Sequence, residues 1–372
     1  MEPRTLLLCR WARIAARAAF LGVQAYVVST AWAQTLSVAL PTPTITVPLG
    51  GSGTQSLTLN NTSGAALGYR VGASGTVLMP FYEADSQSVA SGFRSTIYTD
   101  PGVAGSQAQL AADDFSLASS TSVASIVFQS FVVSSQPLDF AAQTLTFSIY
   151  PDAGGVPAGN PHNQPGTAIW SFTTLPTAPG VSIVTTGSPP VTRTELNLAA
   201  AGQSLTLAAG NYWLVVNSIG TFANRVAWLG SLRGSGAFAS LTVSSTGTGT
   251  WQTINPFRGL AMRLNQSENC GAAWLAAASG DSGIAPANGS AAVQLTASAG
   301  ALTPGTYTTD ICVASGPEGQ RSLQRVSITM VVYDPENARK VPTLSNIALG
   351  VLGLLMAALG VMARRRLPRR RR

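Results

Sequence analysis

The chain has 372 residues, of which 45% are hydrophobic and 10% are charged, and its formal net charge is +7. Thirteen of its 22 basic residues lie before Gln34 or after Ala338, which leaves nine basic and 14 acidic residues between these positions. Because this central part has a net charge near −5, the composition excludes a basic nucleic-acid-binding surface.

Residues 1–33 have the pattern of a signal peptide. Four arginines precede an apolar stretch at 18–28, and the small residues Ala31 and Ala33 provide the cleavage pattern of signal peptidase. We expect a signal helix that is removed after Ala33, so that the mature chain begins at Gln34. An uncleaved membrane anchor is the alternative, although the apolar stretch is short for a membrane span. Under both interpretations the rest of the chain is exported.

Between the termini, hydrophobic and polar residues alternate with a period of two, and Gly, Pro, Asn and Ser separate the alternating segments. This pattern predicts an all-β protein. The clearest predicted strands lie at 55–60, 122–133, 144–150, 168–172, 212–217, 293–297, 306–313 and 325–333. About 300 residues exceed one β-sandwich of ordinary size, so we expect two cores.

Two cysteines remain once the predicted signal peptide, which contains Cys9, is removed. They are Cys270 and Cys312, and in an oxidising compartment we expect them to form a disulfide. Two free, buried cysteines are the alternative.

The strand count predicts a split domain. Residues 34–74 offer about three strands, whereas an immunoglobulin-like sandwich needs about seven, and residues 265–335 supply roughly four more. We therefore predict one sandwich formed by both segments, with residues 75–264 inserted at a loop tip, where insertions are best tolerated. Three domains in line are the alternative. The Gly-Gly-Ser at 50–52, the Trp-Leu at 274–275 and the Pro-Gly-Thr-Tyr turn at 304–307 resemble bacterial immunoglobulin-like repeats, which implies that fold.

The inserted segment resembles jelly-roll modules of exported bacterial proteins. The resemblance rests on Ala-Asp-Asp-Phe-Ser-Leu at 112–117, on the segment 149–157 and on the segment 207–214. It implies a β-sandwich shaped like a carbohydrate-binding module, without implying that sugar is bound.

Catalytic residue types are scarce. His162 is the single histidine and lies in a loop-like sequence, and the chain has neither a Gly-x-Ser-x-Gly nor a His-Glu-x-x-His pattern. We therefore predict that the protein is not an enzyme and that zinc is not bound. Calcium is the remaining cofactor hypothesis, with Asp113, Asp114 and Asp152 as candidate oxygen ligands beside turns. The alternative is that these aspartates only form turns.

Several aromatic residues could serve a sugar-binding surface or a core. Trp170 and Phe172 share one strand face, and further tryptophans lie at 213, 228 and 251. Because burying an aromatic side chain removes about 150–250 Å² from water, we expect core positions. We also expect Trp274 to be buried near the predicted disulfide.

The C-terminal segment predicts a transmembrane helix at 344–363. Residues 344–362 carry no charge, and at about 1.5 Å per residue such a helix nearly spans a hydrocarbon core of about 30 Å. The basic tail at 364–372 is predicted to remain in the cytoplasm beside anionic headgroups. Its arginines are Arg364, Arg365, Arg366, Arg369, Arg370, Arg371 and Arg372. A buried core helix with a basic tail is the alternative.

Residues 336–343 are predicted to form a linker, because a proline at 342 disfavours helix in the residue before it and leaves this point accessible to a membrane protease. The order of a Pro-Thr-Leu-Ser motif, an apolar helix and a terminal arginine cluster resembles the IPTL-CTERM sorting signal of Gram-negative bacteria. The motif residues are Val341, Pro342, Thr343, Leu344 and Ser345, with Val341 where the family name has Ile. This resemblance implies an envelope or secreted protein whose tail is recognised and removed by an exosortase-like membrane sorting protease.

Together, these features predict an exported, non-catalytic protein of the cell envelope, cell surface or medium. It is expected to be tethered to the inner membrane through residues 344–363 before processing and to act in adhesion, envelope structure or matrix. The expected partners are membrane lipid, the sorting protease and a surface polysaccharide or protein, but no nucleic acid. A lectin-like carbohydrate-binding module is the first alternative, and a hydrolase is the second.

Overall fold

The computed structural model describes residues 36–39, 44–85, 88–134, 138, 143–236, 238–317, 319–338, 351 and 354–356. These residues form 27 strands, two 3-10 turns at Val103–Gly105 and Pro165–Thr167, and a short helix at Pro335–Ala338. The strands are β1 Ser37–Ala39, β2 Thr44–Pro48, β3 Ser52–Asn60, β4 Leu67–Gly72, β5 Thr76–Glu83, β6 Ser88–Arg94, β7 Thr96–Tyr98, β8 Ala108–Leu117, β9 Thr121–Val123, β10 Ser125–Val132, β11 Thr144–Pro151, β12 Trp170–Thr174, β13 Val181–Thr186, β14 Val191–Asn197, β15 Leu205–Leu207, β16 Gly210–Gly220, β17 Val226–Ser231, β18 Phe238–Val243, β19 Gln252–Ile254, β20 Gly259–Leu260, β21 Met262–Asn269, β22 Leu275–Ser279, β23 Ser282–Ala285, β24 Ser290–Ser298, β25 Gly305–Gly316, β26 Gly319–Gln320 and β27 Ser322–Tyr333.

The first pair of sheets combines both ends of the described chain. One sheet has the order β1-β3-β24-β22, and the other has the order β2-β27-β25-β4-β23. Leu57 and Leu59 of β3 lie two residues apart, so they point to the same face, and both are buried between the sheets. Val293 and Leu295 of β24 are buried in the same core. Strands at 37–72 and strands at 275–333 therefore share one hydrophobic core.

The second pair of sheets is built from the intervening chain, apart from the short strand β26 at Gly319–Gln320. A nine-stranded sheet contains the path β13-β14-β10-β21-β5-β26, with β17 joining β10 to β6 and β20. It packs on a seven-stranded sheet of order β12-β11-β16-β7-β8-β18-β19. Phe128 from the first sheet meets Phe147 from the second edge to face, with ring centroids 5.8 Å apart. A second core, separate from the first, fills this interface.

A disulfide and a short strand help to join the two pairs of sheets. Cys270, directly after β21, forms a disulfide with Cys312 of β25, so the predicted pairing is confirmed. The short strand β26 adds a second link, because Gly319 and Gln320 pair with Glu83 and Tyr82 of β5 in the nine-stranded sheet.

The same turn begins one long strand in each core. In the first pair, the Tyr307 hydroxyl donates a hydrogen bond of 2.9 Å to the carbonyl oxygen of Thr303. In the second pair, the Tyr212 hydroxyl donates a bond of 2.9 Å to the carbonyl oxygen of Ala208. Each tyrosine lies two residues after a glycine, and each bond closes the turn in the manner of a tyrosine corner.

The all-β prediction is confirmed, with two differences in detail. The strand predicted at 122–133 is interrupted at Ala124: β9 pairs with β15, whereas β10 pairs with β14, β17 and β21. The strand predicted from 168 begins at Trp170, because the Ala168 amide closes the 3-10 turn Pro165–Thr167 by donating to the carbonyl oxygen of Pro165.

The predicted signal helix lies outside the described residues, as does most of the predicted membrane helix. Of the segment 344–363, the structure describes residues 351 and 354–356, which are helical. Across the described part of the chain, no helix is long and apolar enough to cross a membrane.

Candidate functional site

A charged cleft opens between the two pairs of sheets and has a volume of about 360 Å³. We call it the arginine cleft. Strands β4 and β23 contribute from the first pair of sheets, and β5, β21 and the loop after β17 contribute from the second. The lining residues are Tyr69, Arg70, Glu83, Asp85, Arg233, Arg263, Ser282, Gly283, Ile284 and Arg321. Four arginines therefore meet two carboxylates.

The carboxylates lie against two of the arginines. Arg263 of β21 is directly opposite Glu83 in the β21–β5 ladder, with an Nη1–Oε1 distance of 3.8 Å. Its Nη2 is 3.2 Å from Asp85 Oδ2. Arg321 Nη2 is 3.2 Å from Glu83 Oε2. Both acids are thus engaged by Arg263 and Arg321.

Arg321 is held rigidly in place. It is 9% exposed, and its Nη1 donates to the carbonyl oxygens of Gly316 at 3.0 Å and Pro317 at 2.8 Å. Burial lowers the pKa of Arg321; the charge of Glu83 opposes this shift, and the nearby positive charge of Arg233 adds to it. Burial also raises the pKa of Asp85, while the charge of Arg263 lowers it. The cleft therefore holds its charges in a poorly hydrated environment.

Arg233 is the least satisfied of the four arginines. It is 3% exposed, and its Nε and Nη1 atoms have no hydrogen-bond partner. A Cβ atom built on Gly68 of β4 would lie 2.1 Å from Arg321 Nη2 and 3.1 Å from Arg233 Nη1. Because both distances start from one point, the two guanidinium nitrogens are at most about 5 Å apart. Because Gly68 has no side chain, the guanidinium groups of Arg321 and Arg233 can both lie against β4.

A second cleft, of about 460 Å³, lies beside β8 and the loop at 234–235. Tyr82, Asp114 and Ser235 are among its lining residues. Beneath it, Asp113 is 0% exposed and its Oδ2 accepts hydrogen bonds from the Leu260 amide at 2.8 Å and from the Tyr82 hydroxyl at 3.4 Å. Burial raises the pKa of Asp113 well above that of an ordinary aspartate, although the bond from Leu260 opposes this shift.

The three aspartates predicted as calcium ligands already serve the fold. Asp113 faces the core, whereas Asp114, its neighbour on β8, accepts a hydrogen bond from the Ser235 hydroxyl. Asp152 accepts bonds from Trp213 Nε1 at 2.7 Å and from the Gly155 amide at 3.0 Å. In the described part of the chain, no three or more His, Cys, Asp or Glu side chains are grouped to hold a metal ion. The arrangement does not fit a calcium site.

The aromatic residues divide between the cores and the surface. Trp213 and Trp228 are buried, and Trp228 Nε1 donates to the carbonyl oxygen of Ala261 at 3.0 Å. Trp170 and Phe172 are partly exposed, pack against the core of the second pair of sheets and are stacked, with ring centroids 6.3 Å apart. Trp251 and Trp274 are also partly buried against apolar clusters.

His162 lies in the loop before the 3-10 turn at 165–167. Its backbone amide donates a hydrogen bond of 3.1 Å to Asn160 Oδ1, which belongs to the turn rather than to a catalytic group. Burial lowers the pKa of His162, so its neutral form is favoured.

The arginine cleft was not predicted from the sequence. A signal for it exists, because Arg70 lies between Tyr69 and Val71 in β4, and Arg263 lies between Met262 and Leu264 in β21. A charged residue within an apolar strand is unusual in a chain with 10% charged residues. Which arginines converge, however, depends on strand pairing across the whole chain.

Comparison with known proteins gives one family match. The IPTL-CTERM motif matches residues 341–366, a range that includes the predicted motif at 341–345 and the first three tail arginines. The predicted resemblance is confirmed: the chain carries a C-terminal sorting signal of this kind. Such signals imply export to the cell envelope or surface and processing by a membrane sorting machinery. The motif residues themselves lie outside the described part of the chain.

No curated protein matches the chain. Among solved structures, the chain is similar to the ASH/PapD-like domain of human CEP192 (PapD-like domain 7), with 7% sequence identity. That match covers 81% of this chain and 87% of the other chain, with a TM-score of 0.22.

Proposed function

We propose that this protein is an exported, non-catalytic surface protein of a Gram-negative bacterium that acts through binding in adhesion, envelope structure or matrix. The observation that carries the proposal is the IPTL-CTERM motif at 341–366. The disulfide between Cys270 and Cys312 supports an oxidising destination, because such bonds persist outside the reducing cytosol.

The proposed architecture has a signal peptide at 1–33 and an immunoglobulin-like sandwich split between 34–74 and 265–335. A jelly-roll-like sandwich at 75–264 is inserted into it. A linker at 336–343, a transmembrane helix at 344–363 and a cytoplasmic tail at 364–372 complete the chain. The pairing of β3 with β24 and of β4 with β25 supports the split sandwich, because strands about 240 residues apart in sequence share one core.

In the proposed pathway, the chain is first tethered to the inner membrane with its arginine cluster in the cytoplasm. An exosortase-like membrane protease then cleaves at the extended motif around Pro342. The processed protein is transferred to the surface or released into the medium.

The intact mass of the protein recovered from the surface and medium of a Gram-negative host tests this pathway. We expect a chain that begins at Gln34 and lacks everything after about Thr343. The variant Pro342→Ala should accumulate in the membrane fraction with its tail intact, because the motif is altered. Pro335→Ala, which changes a proline outside the motif, is the matched control and should be processed like the wild type. A wild-type chain that keeps its tail in the membrane would instead make 344–363 a permanent anchor.

A lectin-like function is the second candidate, because the stacked pair of Trp170 and Phe172 is partly exposed. Aromatic faces of this kind stack on sugar rings. Loss of glycan binding in Trp170→Ala, with an unchanged melting temperature, would support this candidate. Retention of binding would exclude this pair as the binding surface.

A further inference from the structure

We propose that the arginine cleft binds a divalent oxyanion, namely a phosphate or sulfate group. The proposal goes beyond delivery to the surface, because it assigns a ligand class to a particular place in the fold. Its basis is an excess of buried positive charge with unused hydrogen-bond donors.

The residues that line the cleft carry more positive than negative charge. Among the lining residues, four guanidinium groups face two carboxylates, which gives the lining a formal charge of +2. Glu83 and Asp85 are engaged by Arg263 and Arg321. Within the described residues, neither Arg70 nor Arg233 has an ion pair of its own. Since an uncompensated charge is costly away from water, a doubly charged anion is the ligand that neutralises the cleft.

The arginines of the cleft have buried N–H groups without a hydrogen-bond partner. Arg233 is 3% exposed, with Nε and Nη1 unpaired, and the Nε atoms of Arg70, Arg263 and Arg321 are also buried and unpaired. A guanidinium group presents donors in a planar fork that matches phosphate and sulfate oxygens. Arg321 is fixed by its backbone hydrogen bonds, so the cleft is organised before a ligand arrives. Arg263 and Arg321 are already paired with carboxylates, so Arg233 and Arg70 are assigned as the direct anion ligands.

The position and size of the cleft also support the proposal. Arg70 belongs to the first pair of sheets and Arg233 to the second, so an anion held by both would bridge the two pairs. A volume of about 360 Å³ is larger than one tetrahedral oxyanion requires, and it leaves room for the group that carries the anion. Tyr69 and Ser282 line the same cleft with hydroxyl groups. Inorganic anions and phosphate or sulfate esters of a polysaccharide present the same chemistry.

The test is calorimetric titration of the purified mature protein with sodium phosphate and sodium sulfate, against sodium chloride at equal ionic strength. In the titration we expect saturable binding of the divalent anions and no saturable effect of chloride. In thermal unfolding we expect the divalent anions to raise Tm by about 2–5 °C at a hundredfold excess over Kd. Arg233→Gln and Arg70→Gln should each weaken binding at least tenfold. Arg70 is only half-buried, so we expect Arg70→Gln to fold. If Arg233→Gln does not fold, the loss of anion binding in Arg70→Gln tests the assignment.

Arg325→Gln is the matched control. Arg325 pairs with Glu268 at 2.5 Å, and its side chain is 46% exposed and lies outside the cleft. Arg325→Gln removes the same net charge as Arg233→Gln. We expect this variant to bind like the wild type. Equal weakening by Arg325→Gln and Arg233→Gln would show diffuse attraction and overturn the proposal, as would the absence of any saturable anion binding.

The source of the anion is distinguished by competition between dextran sulfate and inorganic sulfate. Tighter binding of dextran sulfate, displaced by inorganic sulfate and lost in Arg233→Gln, would support a polysaccharide-borne group. Binding of inorganic sulfate with exclusion of dextran sulfate would support a free anion in the same cleft. Binding of dextran sulfate that Arg233→Gln and Arg70→Gln leave unchanged would contradict the assignment of the cleft.

Discussion

At the scale of single residues, the fold places a carboxyl group where a hydrophobic side chain would be expected. Asp113 is fully buried, and its oxygens accept hydrogen bonds from the backbone amides of Leu260 and Asp114 and from Tyr82. The alternating pattern of β8 would place an apolar residue there. The hydrogen bonds explain why the carboxyl group is tolerated, because a buried polar group costs little when its partners are present.

The stability of the protein should depend on pH through Asp113. Since burial raises its pKa in the folded state, the folded protein binds more protons than the unfolded chain from about pH 4 upward. The free energy of unfolding should therefore fall as pH rises from about 4 towards the raised pKa of Asp113. Asp113→Asn, which cannot ionise, should flatten the fall and leave the protein at least as stable at pH 7, as measured by urea unfolding at several pH values.

Asp310→Asn is the control for this effect, because Asp310 is exposed on β25. We expect its pH profile to match the wild type. Asp85 and Asp114, whose pKa values are also raised mainly by burial, should account for the slope that remains in Asp113→Asn. An unchanged slope in Asp113→Asn would contradict the prediction.

At the scale of elements, the two long strands β16 and β25 begin with the same device. Tyr212 and Tyr307 each hydrogen-bond to the carbonyl oxygen four residues earlier. The shared spacing of leucine, glycine and tyrosine is visible in the sequence at 207–212 and 302–307. Each closed turn fixes the point at which β16 or β25 enters its sheet, and this helps to set the register of that strand with its neighbours.

Removal of either tyrosine hydroxyl should destabilise the corresponding core. Tyr212→Phe and Tyr307→Phe should each lower the free energy of unfolding by about 1 kcal/mol, because one intramolecular hydrogen bond is lost while the ring remains. Denaturant unfolding measures the change. Tyr333→Phe is the control, since Tyr333 is 40% exposed at the end of β27, and it should change stability by less than about 0.5 kcal/mol. Equal losses in all three variants would argue against the turn as the cause.

At the scale of the whole molecule, the disulfide, β26 and ion pairs such as Arg321–Glu83 connect the two cores. Cys270 and Cys312 lie with Met79 and Ala314 in a small apolar cluster at the junction. The arginine cleft opens at the same junction. The contacts between the two pairs of sheets are thus partly covalent, partly apolar and partly ionic.

Loss of the disulfide should weaken the whole molecule. The bond closes a loop with a sequence separation of 42 residues, so the chain-entropy model gives a contribution of about 4 kcal/mol. The double variant Cys270→Ala/Cys312→Ala should show this loss in chemical unfolding. A reducing agent should destabilise the wild type and leave the double variant unaffected. A double variant as stable as the oxidised wild type would contradict this expectation.

Much of the local structure could be predicted because it depends on neighbouring residues. The alternation at 55–60 and 325–333 predicted strands that the structure contains, since side chains two residues apart share one face of a strand. The cysteine count predicted the disulfide, and the motif at 341–366 could be recognised from its own residues. The break at Ala124 could not be predicted, because it lies where the chain changes from pairing with β15 to pairing with β14 and β21.

The sequence by itself determined the all-β class, the disulfide and the sorting signal, because each follows from local pattern or composition. Only the tertiary structure decided which charges meet in the arginine cleft and which carboxyl group is buried. Arg321 and Glu83 form their ion pair across 238 residues of sequence. Such convergence depends on strand order and register, which are set by the packing of both cores together rather than by any one segment.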